Sequence, residues 1–263
     1  MGEATTVERD GGLVTVTLNR PKRKNAISAV MWQELDQIFY ELETDPKLRA
    51  VVLTGAEGNF SAGADLSGEE SNGLTGHGAQ LVVHEMRIVG RIISRLKHLP
   101  RPTIAAVDGV AVGVGLGLAL ACDLVIASDQ ARFMEIFAKR GLGMDGGTSW
   151  TLTHLLGPRR AKQVAFFGET IDAAKALDWG LVNDVVPAGE LAATAHEWGQ
   201  RLANGPTTAI SLMKSQIDGS VTSTFEQAVE AEARVQHIAY TTQDLQEGMV
   251  AFMERRDAKF TGR

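Results

Sequence analysis

The chain has 263 residues, 44% hydrophobic and 22% charged, so it can bury one full core plus an appendage and does not have the composition of a disordered protein. The net charge of −6 argues against a nucleic-acid partner, although local Lys and Arg groups can still bind an anionic ligand. Cys122 is the single cysteine, which excludes an internal disulfide, and the first residues carry no signal-peptide pattern, so a cytoplasmic location without a membrane partner is expected.

Predicted strands alternate with predicted helices over the first two thirds of the chain, an order that indicates an α/β core. Apolar residues and threonines alternate over residues 13–18, which predicts a half-buried strand. Leu35, Phe39 and Leu42 recur at helical spacing, which predicts an amphipathic helix over residues 30–43. Further strands are predicted at residues 49–53, 123–128 and 181–186, a strand–turn–helix unit at 103–121, and a helix at 147–156.

Residues 66–80 are rich in glycine, serine and other polar residues, which predicts a loop. The loop leads into a helix whose apolar positions run from Leu81 to Leu96. Two interpretations stay open for it, a lid over a binding pocket or an ordinary surface loop.

After Pro187 the pattern is purely helical. Helices are predicted over about residues 190–203, 206–218 and 222–256, and the sequence Asn-Gly-Pro at 204–206 separates the first two. We therefore divide the chain into a core of residues 1–190 and an all-helical region of residues 191–263.

Two glycine-rich turns, at residues 61–65 and 109–117, each follow a short apolar run. In each turn, glycines leave the backbone uncovered by side chains at the point where a strand should end and a helix should begin. Free backbone N–H groups at such turns attract negative charge. If the two turns meet at one carbonyl oxygen, they form an oxyanion hole, so the pair predicts a site that stabilises a developing anion.

Five motifs in this order carry a family resemblance: residues 18–26, 60–66, 101–107, 109–123 and 176–182. Together they resemble the crotonase superfamily, also called the enoyl-CoA hydratase/isomerases. The resemblance implies an α/β spiral of ββα turns with a C-terminal helical trimerisation region, an acyl-CoA thioester as substrate, and a homotrimer or hexamer. It also implies that the backbone N–H groups of Ala64 and Val114 hold the thioester oxygen.

The resemblance further implies where the substrate is bound. Lys22 and Arg23 would contact the CoA phosphates or the adenine pocket, although they are equally typical of a solvated basic turn. Lys259 and Phe260 would reach the CoA of a neighbouring subunit. No cofactor and no metal is expected, because CoA is part of the substrate. The other implied substrate-binding positions are Ala26, Ala62, Asp65, Leu66, Val110, Gly113, Gly117 and Phe137.

Motifs for other chemistries are incomplete or missing in the sequence. Gly113, Gly115 and Gly117 have the spacing G-x-G-x-G, whereas a dinucleotide fingerprint requires G-x-G-x-x-G. The six histidines show no metal-site spacing, and no G-x-S-x-G elbow occurs. The longest uncharged apolar run, residues 109–122, has the length of a buried segment and not of a membrane span.

The carboxylates that the family uses decide its reaction. Hydratases of the family use two glutamates, one of which positions water while the other delivers a proton. Gly117 stands where the first glutamate belongs, and Phe137 stands where the second belongs. Neither side chain can exchange a proton, so efficient hydration by that mechanism is not expected.

Asp145 offers a different chemistry. It lies in Gly-Leu-Gly-Met-Asp-Gly-Gly, residues 141–147, which resembles the segment of family isomerases whose aspartate acts as the base. Met144, Phe137 and Trp150 would make its surroundings apolar and raise its pKa. The alternative is that Asp145 only caps the helix that begins near residue 147. Glu135, a carboxylate close by in sequence, is expected to be a surface or structural residue.

The leading hypothesis is isomerisation of a 3-enoyl-CoA to the 2-enoyl-CoA, in which Asp145 moves a proton from C2 to C4 and the N–H groups of Ala64 and Val114 stabilise the enolate. Hydration of a 2-enoyl-CoA through Asp145 or Glu135 stays open, as does a non-catalytic acyl-CoA-binding subunit. Dehalogenation of an aryl-CoA, another branch of the family, requires a histidine where Gly90 stands.

Overall fold

The computed structural model describes residues 4–66 and 79–263, and within these residues two β-sheets form the centre of an α/β fold. The strands are β1 Thr5–Asp10, β2 Leu13–Leu18, β3 Ala50–Gly55, β4 Thr103–Val107, β5 Val110–Val112, β6 Leu124–Ser128, β7 Arg132–Met134, β8 Thr170–Asp172 and β9 Asp184–Val186. The larger sheet has the order β1-β2-β3-β4-β6-β9 and the smaller one β5-β7-β8. All neighbours are parallel except β1 with β2 and β7 with β8.

The helices surround these sheets. They are α1 Ala29–Thr44, α2 Ala79–Lys97, α3 Val114–Ala121, α4 Thr148–Phe167, α5 Ala173–Asp178, α6 Leu191–Ala203, α7 Thr207–Ser220, α8 Phe225–Ala239 and α9 Gln243–Glu254. α1 begins at Ser28, whose side chain accepts a hydrogen bond from the Met31 N–H. In the part of the chain that the structure describes, no helix has both the length and the apolar character that a membrane crossing requires.

Successive units of the chain feed both sheets in turn. β4 joins the larger sheet, β5 joins the smaller one, and α3 follows; β6, β7 and α4 repeat the same order. After β3, Ser61 forms a parallel bridge with Ala111 of β5 and so takes the place of a strand in the smaller sheet. The expected spiral of ββα turns is therefore confirmed.

α6 covers the face of the larger sheet that the earlier helices leave open. Its buried residues Leu191, Ala195 and Ala203 pack against β2, β3, β4 and β6. Gly199 allows the close approach, because a methyl group at this position would lie 2.8 Å from a Leu13 methyl carbon. The first helix of the C-terminal region therefore completes the core.

The prediction of one continuous helix over residues 222–256 is wrong, because the helix is interrupted between the end of α8 and the start of α9. The Thr242 side chain accepts a hydrogen bond from the Leu245 N–H and caps α9. The Thr241 hydroxyl bonds back to the Ile238 carbonyl at the end of α8. Threonine competes with the helical backbone in this way, which explains the break that apolar periodicity did not indicate.

Two other predicted elements differ from the structure. α4 continues to Phe167, beyond the predicted end at residue 156, and it bends at Gly157, which has a φ of 71° and precedes Pro158. Most of the predicted loop 66–80 lies outside the described residues, and α2 already begins at Ala79. The choice between a lid and a surface loop therefore stays a prediction.

We predict that the protein is a trimer or a dimer of trimers. α8 has no buried residue, and the apolar side chains of Met213, Ile217 and Phe225 are 55%, 68% and 80% exposed. Exposed apolar surface of this extent is typical of an interface. Light scattering at micromolar concentration should give a mass of three or six chains of 28.2 kDa each. A particle with the mass of one chain would contradict the prediction.

Candidate functional site

The two glycine-rich turns are joined by backbone hydrogen bonds. The Ser61 N–H donates to the Val110 carbonyl at 2.8 Å, and the Val112 N–H donates to the Ser61 carbonyl at 3.0 Å. The Ser61 hydroxyl is buried, donates to the Asn25 carbonyl at 2.9 Å and accepts from the Gly63 N–H at 3.2 Å. The turn after β3 and the turn after β5 are therefore held as one rigid unit.

Glycine permits the closest approach of these turns. Gly63 has a φ of +93° and Gly113 a φ of +54°, a region that side-chain-bearing residues rarely adopt. A methyl group on Gly63 would lie 2.7 Å from the Val112 carbonyl oxygen and 4.0 Å from the Val114 nitrogen. The backbone that precedes Ala64 therefore lies directly beside the start of α3.

The N–H groups of Ala64 and Val114 are unused at this junction. No acceptor within residues 4–66 and 79–263 bonds either group, because Ile27 pairs with the N–H of Asp65 and α3 begins at Val114. The first N–H groups of a helix point outward without intrahelical partners. Two free donors at adjoining turns can stabilise an oxygen atom that becomes negative during a reaction.

The segment that contains Asp145 packs against the first turns of α3. A methyl group on Gly117 would lie 2.7 Å from the Gly146 carbonyl oxygen, and one on Gly146 would lie 3.3 Å from a Val114 methyl carbon. Gly146 is itself buried. These contacts bring Asp145 to the same end of α3 as the free Val114 N–H.

The Asp145 carboxylate has an open oxygen. Its Oδ1 is buried, and no group in the described part of the chain forms a hydrogen bond with it. Burial raises the pKa of Asp145 to about 6. The helix-cap alternative is wrong, because Gly147 is the N-cap of α4 and no side chain caps this helix. A partly buried carboxylate with one unpartnered oxygen is suited to accept a proton from a ligand.

The two positions expected to carry glutamates in hydratases offer no replacement. Gly117 has no room for even a methyl group beside the Gly146 backbone. Phe137 is 8% exposed, and its ring lies 3.4 Å from the place of a methyl group on Gly113. The side chain of Phe137 therefore forms an apolar wall next to the junction of the turns.

Glu135 is a buried carboxyl group. Of the two expectations for it, the surface position is wrong, whereas a structural role agrees with its burial. It is 0% exposed, its Oε1 lies within hydrogen-bond distance of the Thr148 hydroxyl oxygen, at 2.8 Å, and its Oε2 has no partner in the described part of the chain. Burial raises its pKa to about 7, and the charge of Asp145 acts in the same direction. Alternation along β7 places Glu135 on the face of buried Phe133, a sequence signal that could have revealed its burial.

The two buried carboxyl groups should make stability fall as the pH rises. Both have folded-state pKa values above their ordinary values, so the folded chain binds more protons and the free energy of unfolding decreases through about pH 6 and 7. Glu135→Gln should have a free energy of unfolding about 2 kcal/mol above that of the wild type at pH 8 but not at pH 4. Asp145→Asn should differ in the same direction by less, because solvent screens the partly exposed Asp145 charge. Urea unfolding at both pH values measures this difference. The same difference in free energy of unfolding between variant and wild type at pH 4 and pH 8 would contradict the prediction.

The predicted CoA contacts on the basic turn lie beside the first glycine turn. Lys22 and Arg23 are exposed in a 3₁₀ helix, Pro21–Arg23. The next residue, Lys24, accepts a hydrogen bond from the Ala62 N–H at 2.9 Å through its carbonyl. The structure therefore brings these two cations and Ala62 together, while their contact with CoA stays a prediction.

Arg20 contacts two of the other predicted positions. Its guanidinium donates to the carbonyl of buried Ala26 at 2.6 Å and pairs with the Asp65 carboxylate at 2.8 Å. Asp65 therefore has a structural partner in the chain itself. Leu66, which follows it, is 55% exposed at the end of the described segment.

Lys259 and Phe260 do not lie near this site in their own chain. The Phe260 carbonyl accepts a hydrogen bond from Arg49 at 3.4 Å, and Arg49 directly precedes β3. Ala64 and Val114 instead follow the carboxyl ends of strands, at the opposite edge of the sheet. Phe260 therefore lies at the amino end of β3, away from the two turns, and the role of Lys259 and Phe260 toward a neighbouring subunit stays a prediction.

The remaining reactive residue types form no second site in the described residues. No group of three or more His, Cys, Asp or Glu side chains that could hold a metal ion occurs there. Cys122 is buried, and burial raises the pKa of its thiol to about 12, so it is a core residue without a reactive thiolate.

Comparisons with known proteins cover nearly the whole chain. The sequence profile of a family described as enoyl-CoA hydratase/isomerase matches residues 8–263. The 1,2-epoxyphenylacetyl-CoA isomerase of Escherichia coli (strain K12) is 37% identical over 252 residues, 96% of each chain. The short-chain-enoyl-CoA hydratase of Clostridium acetobutylicum is 37% identical over 95% of this chain and 94% of its own. The crystal structure of an enoyl-CoA hydratase from Bacillus anthracis has a TM-score of 0.93 at 30% identity, covering 99% of this chain and 100% of that one.

Proposed function

Since the chain belongs to the enoyl-CoA hydratase/isomerase family, the crotonase superfamily, we propose that it is an isomerase that converts 3-enoyl-CoA thioesters to 2-enoyl-CoA thioesters. The observation that carries the proposal is the Asp145 carboxylate, with its buried, unpartnered Oδ1 beside the junction of the two turns. One carboxylate suffices for this reaction, because the proton it removes is the proton it returns.

The proposed reaction begins with Asp145 as a base. Its ionised carboxylate removes a proton from C2, which is acidic because it lies between the thioester carbonyl and the C3–C4 double bond. The electron pair of the broken C–H bond forms the enolate and leaves the negative charge on the thioester oxygen. Asp145 then returns the proton to C4, and the double bond moves to C2–C3. A pKa raised to about 6 suits both steps near neutral pH.

The N–H groups of Ala64 and Val114 would stabilise the enolate oxygen. Neither has another acceptor within residues 4–66 and 79–263, so neither must break a bond in the chain to bind the thioester. A preorganised donor of this kind typically contributes ~10²–10³-fold to kcat. The junction of the turns and Asp145 thus supply the anion site and the base of a single proton shuttle.

The comparisons support both an isomerase and a hydratase within the family. The Escherichia coli relative is named an isomerase, whereas the Clostridium acetobutylicum relative is named a hydratase. Hydration needs groups that activate water and deliver a proton, and Gly117 and Phe137 supply neither. Glu135 with Asp145 is the one buried carboxyl pair near the site in the described residues, so hydration through this pair is the second candidate.

Incubation with 2-enoyl-CoA and 3-enoyl-CoA substrates of several chain lengths separates these functions. The proposal expects 3-enoyl substrates to give the 2-enoyl isomer without a change of mass. Formation of a 3-hydroxyacyl-CoA from the 2-enoyl substrates, with a kcat comparable to that of isomerisation, would contradict the proposal and identify the enzyme as a hydratase. Absence of turnover on every substrate would leave the non-catalytic binding role that the missing glutamates also allow.

A further inference from the structure

The Thr148 hydroxyl lies between the two buried carboxyl residues. Its oxygen is 2.8 Å from Oε1 of Glu135 and 2.8 Å from the backbone carbonyl oxygen of Asp145. Thr148 is 0% exposed, and its N–H also donates to the Asp145 carbonyl, at 3.1 Å. These contacts connect Glu135, through one side chain, to the peptide that carries the proposed base.

The proton count of this arrangement is decisive. A hydroxyl has one proton and can donate to only one acceptor at a time. If Glu135 is ionised, it and the Asp145 carbonyl are both acceptors, and one of the two short contacts has no proton. If Glu135 is protonated, it donates to the Thr148 oxygen, and Thr148 donates to the Asp145 carbonyl. Only the protonated form of Glu135 satisfies both contacts.

We propose that Glu135 is a neutral carboxylic acid in the active enzyme and acts as a positioning residue, holding Asp145 in place through Thr148. The proposal deepens the proposed function, on which its kinetic consequence rests. The active form has Asp145 ionised and Glu135 protonated, so the carboxyl pair carries a single negative charge. Ionisation of Glu135 turns the Thr148 hydroxyl away from the Asp145 carbonyl and adds a second, repelling charge.

The surroundings of Glu135 favour its neutral form. Burial raises its pKa to about 7, the charge of Asp145 raises it, and the Thr148 hydrogen bond lowers it. α3, which packs against α4, has no charged residue. The charged side chains of Arg132, Lys139, Arg140 and Asp172, which lie on its own strand, just after it or on β8, are exposed to solvent. Those of α4, Arg159, Arg160 and Lys162, are exposed as well, and Lys175 of α5 is partly exposed.

The pH dependence of kcat on a 3-enoyl-CoA tests the kinetic part. Wild type should show an acid limb near the pKa of Asp145, about 6, and an alkaline limb above the pKa of Glu135, about 7. The pKa values read from the two limbs belong to the Asp145–Glu135 pair as a whole, because the titrations of the two groups are coupled. The fall across the alkaline limb should be about tenfold, the effect of one lost hydrogen bond. Glu135→Gln, which donates to Thr148 and cannot ionise, should keep the acid limb and lose the alkaline one.

Thr148→Val is the matched control, because it removes the hydroxyl and keeps the side-chain shape. It should lower kcat at the optimum by about tenfold and flatten the alkaline limb, since ionisation of Glu135 then has no hydroxyl through which to act on Asp145. Glu135→Gln combined with Thr148→Val should be no slower at the optimum than Thr148→Val alone. A Glu135→Gln enzyme that keeps the alkaline limb, or that loses activity equally at every pH, would overturn the proposal.

Infrared difference spectroscopy without substrate separates this proposal from the proposed function. The spectrum of wild type minus Glu135→Gln isolates the Glu135 carboxyl band, which should report a protonated acid at pH 6 that ionises near pH 7. In an Asp145→Asn background the same band should titrate at lower pH, because the neighbouring charge is absent. A carboxylate band already at pH 6 contradicts a neutral Glu135, whatever the enzyme turns over. A protonated band in a protein without isomerase activity supports the neutral acid and rejects the proposed function alone.

Discussion

Replacement of Asp145 by asparagine is expected to lower kcat for isomerisation by at least ~10²–10⁴-fold, the usual effect of losing a general base. The amide cannot accept the C2 proton, and among the described residues only Glu135 has another buried carboxyl oxygen without a partner. The shape of the side chain is kept, so acyl-CoA affinity should change little. The measurement pairs kcat on a 3-enoyl-CoA with the dissociation constant of an acyl-CoA.

The same variant should become more stable at pH 8, because the folded protein no longer contains a buried, ionised Asp145. Loss of activity together with a higher melting temperature cannot arise from misfolding. Asp178→Asn is a suitable control, since Asp178 lies exposed at the end of α5 and should leave both quantities unchanged. Full activity of Asp145→Asn would remove Asp145 from the mechanism and make Glu135 the group to test as the base.

Val114→Pro is expected to lower kcat by ~10²–10³-fold, because proline has no N–H and the enolate oxygen loses one of its two donors. Val114 is the first residue of α3, a position at which proline is well tolerated. Gly113 has φ 54° and ψ −122°, the mirror image of the conformation that residues before proline prefer. Glycine adopts this mirror region without strain, so the variant should fold.

Val114→Ala is the control for Val114→Pro. It keeps the N–H and removes the methyl groups that contact Gly146, so its effect on kcat measures packing alone. The ratio of the two variants then reports the donor. Equal kcat values in two folded variants would falsify the assignment of the Val114 N–H to the thioester oxygen.

Local sequence patterns predicted the parts of the site that depend on backbone conformation. Glycines at positions 63 and 113 and the apolar runs before them indicated turns after strands, and both glycines adopt a positive φ. The helix predicted to follow each turn begins directly only after Gly113, and none begins within residues 61–66. The resemblance of the short segment 141–147 to family isomerases identified Asp145, one oxygen of which the structure leaves buried without a partner. These features could be predicted because turns and helix starts are determined by residues close together in the chain.

Contacts between distant segments decided the rest. Strand alternation and glycine turns, which are local properties, indicated an α/β core and an anion site, and the family resemblance added the two backbone donors and the aspartate. Only the tertiary structure buried Glu135 next to Thr148, paired Asp65 with Arg20, and placed Phe260 at the edge of the sheet away from Ala64. Burial and pairing depend on which residues the fold brings together, and the charge state of a carboxyl group follows from them. The sequence therefore indicates which residues the candidate site contains, whereas the protonation of its carboxyl groups depends on the folded structure.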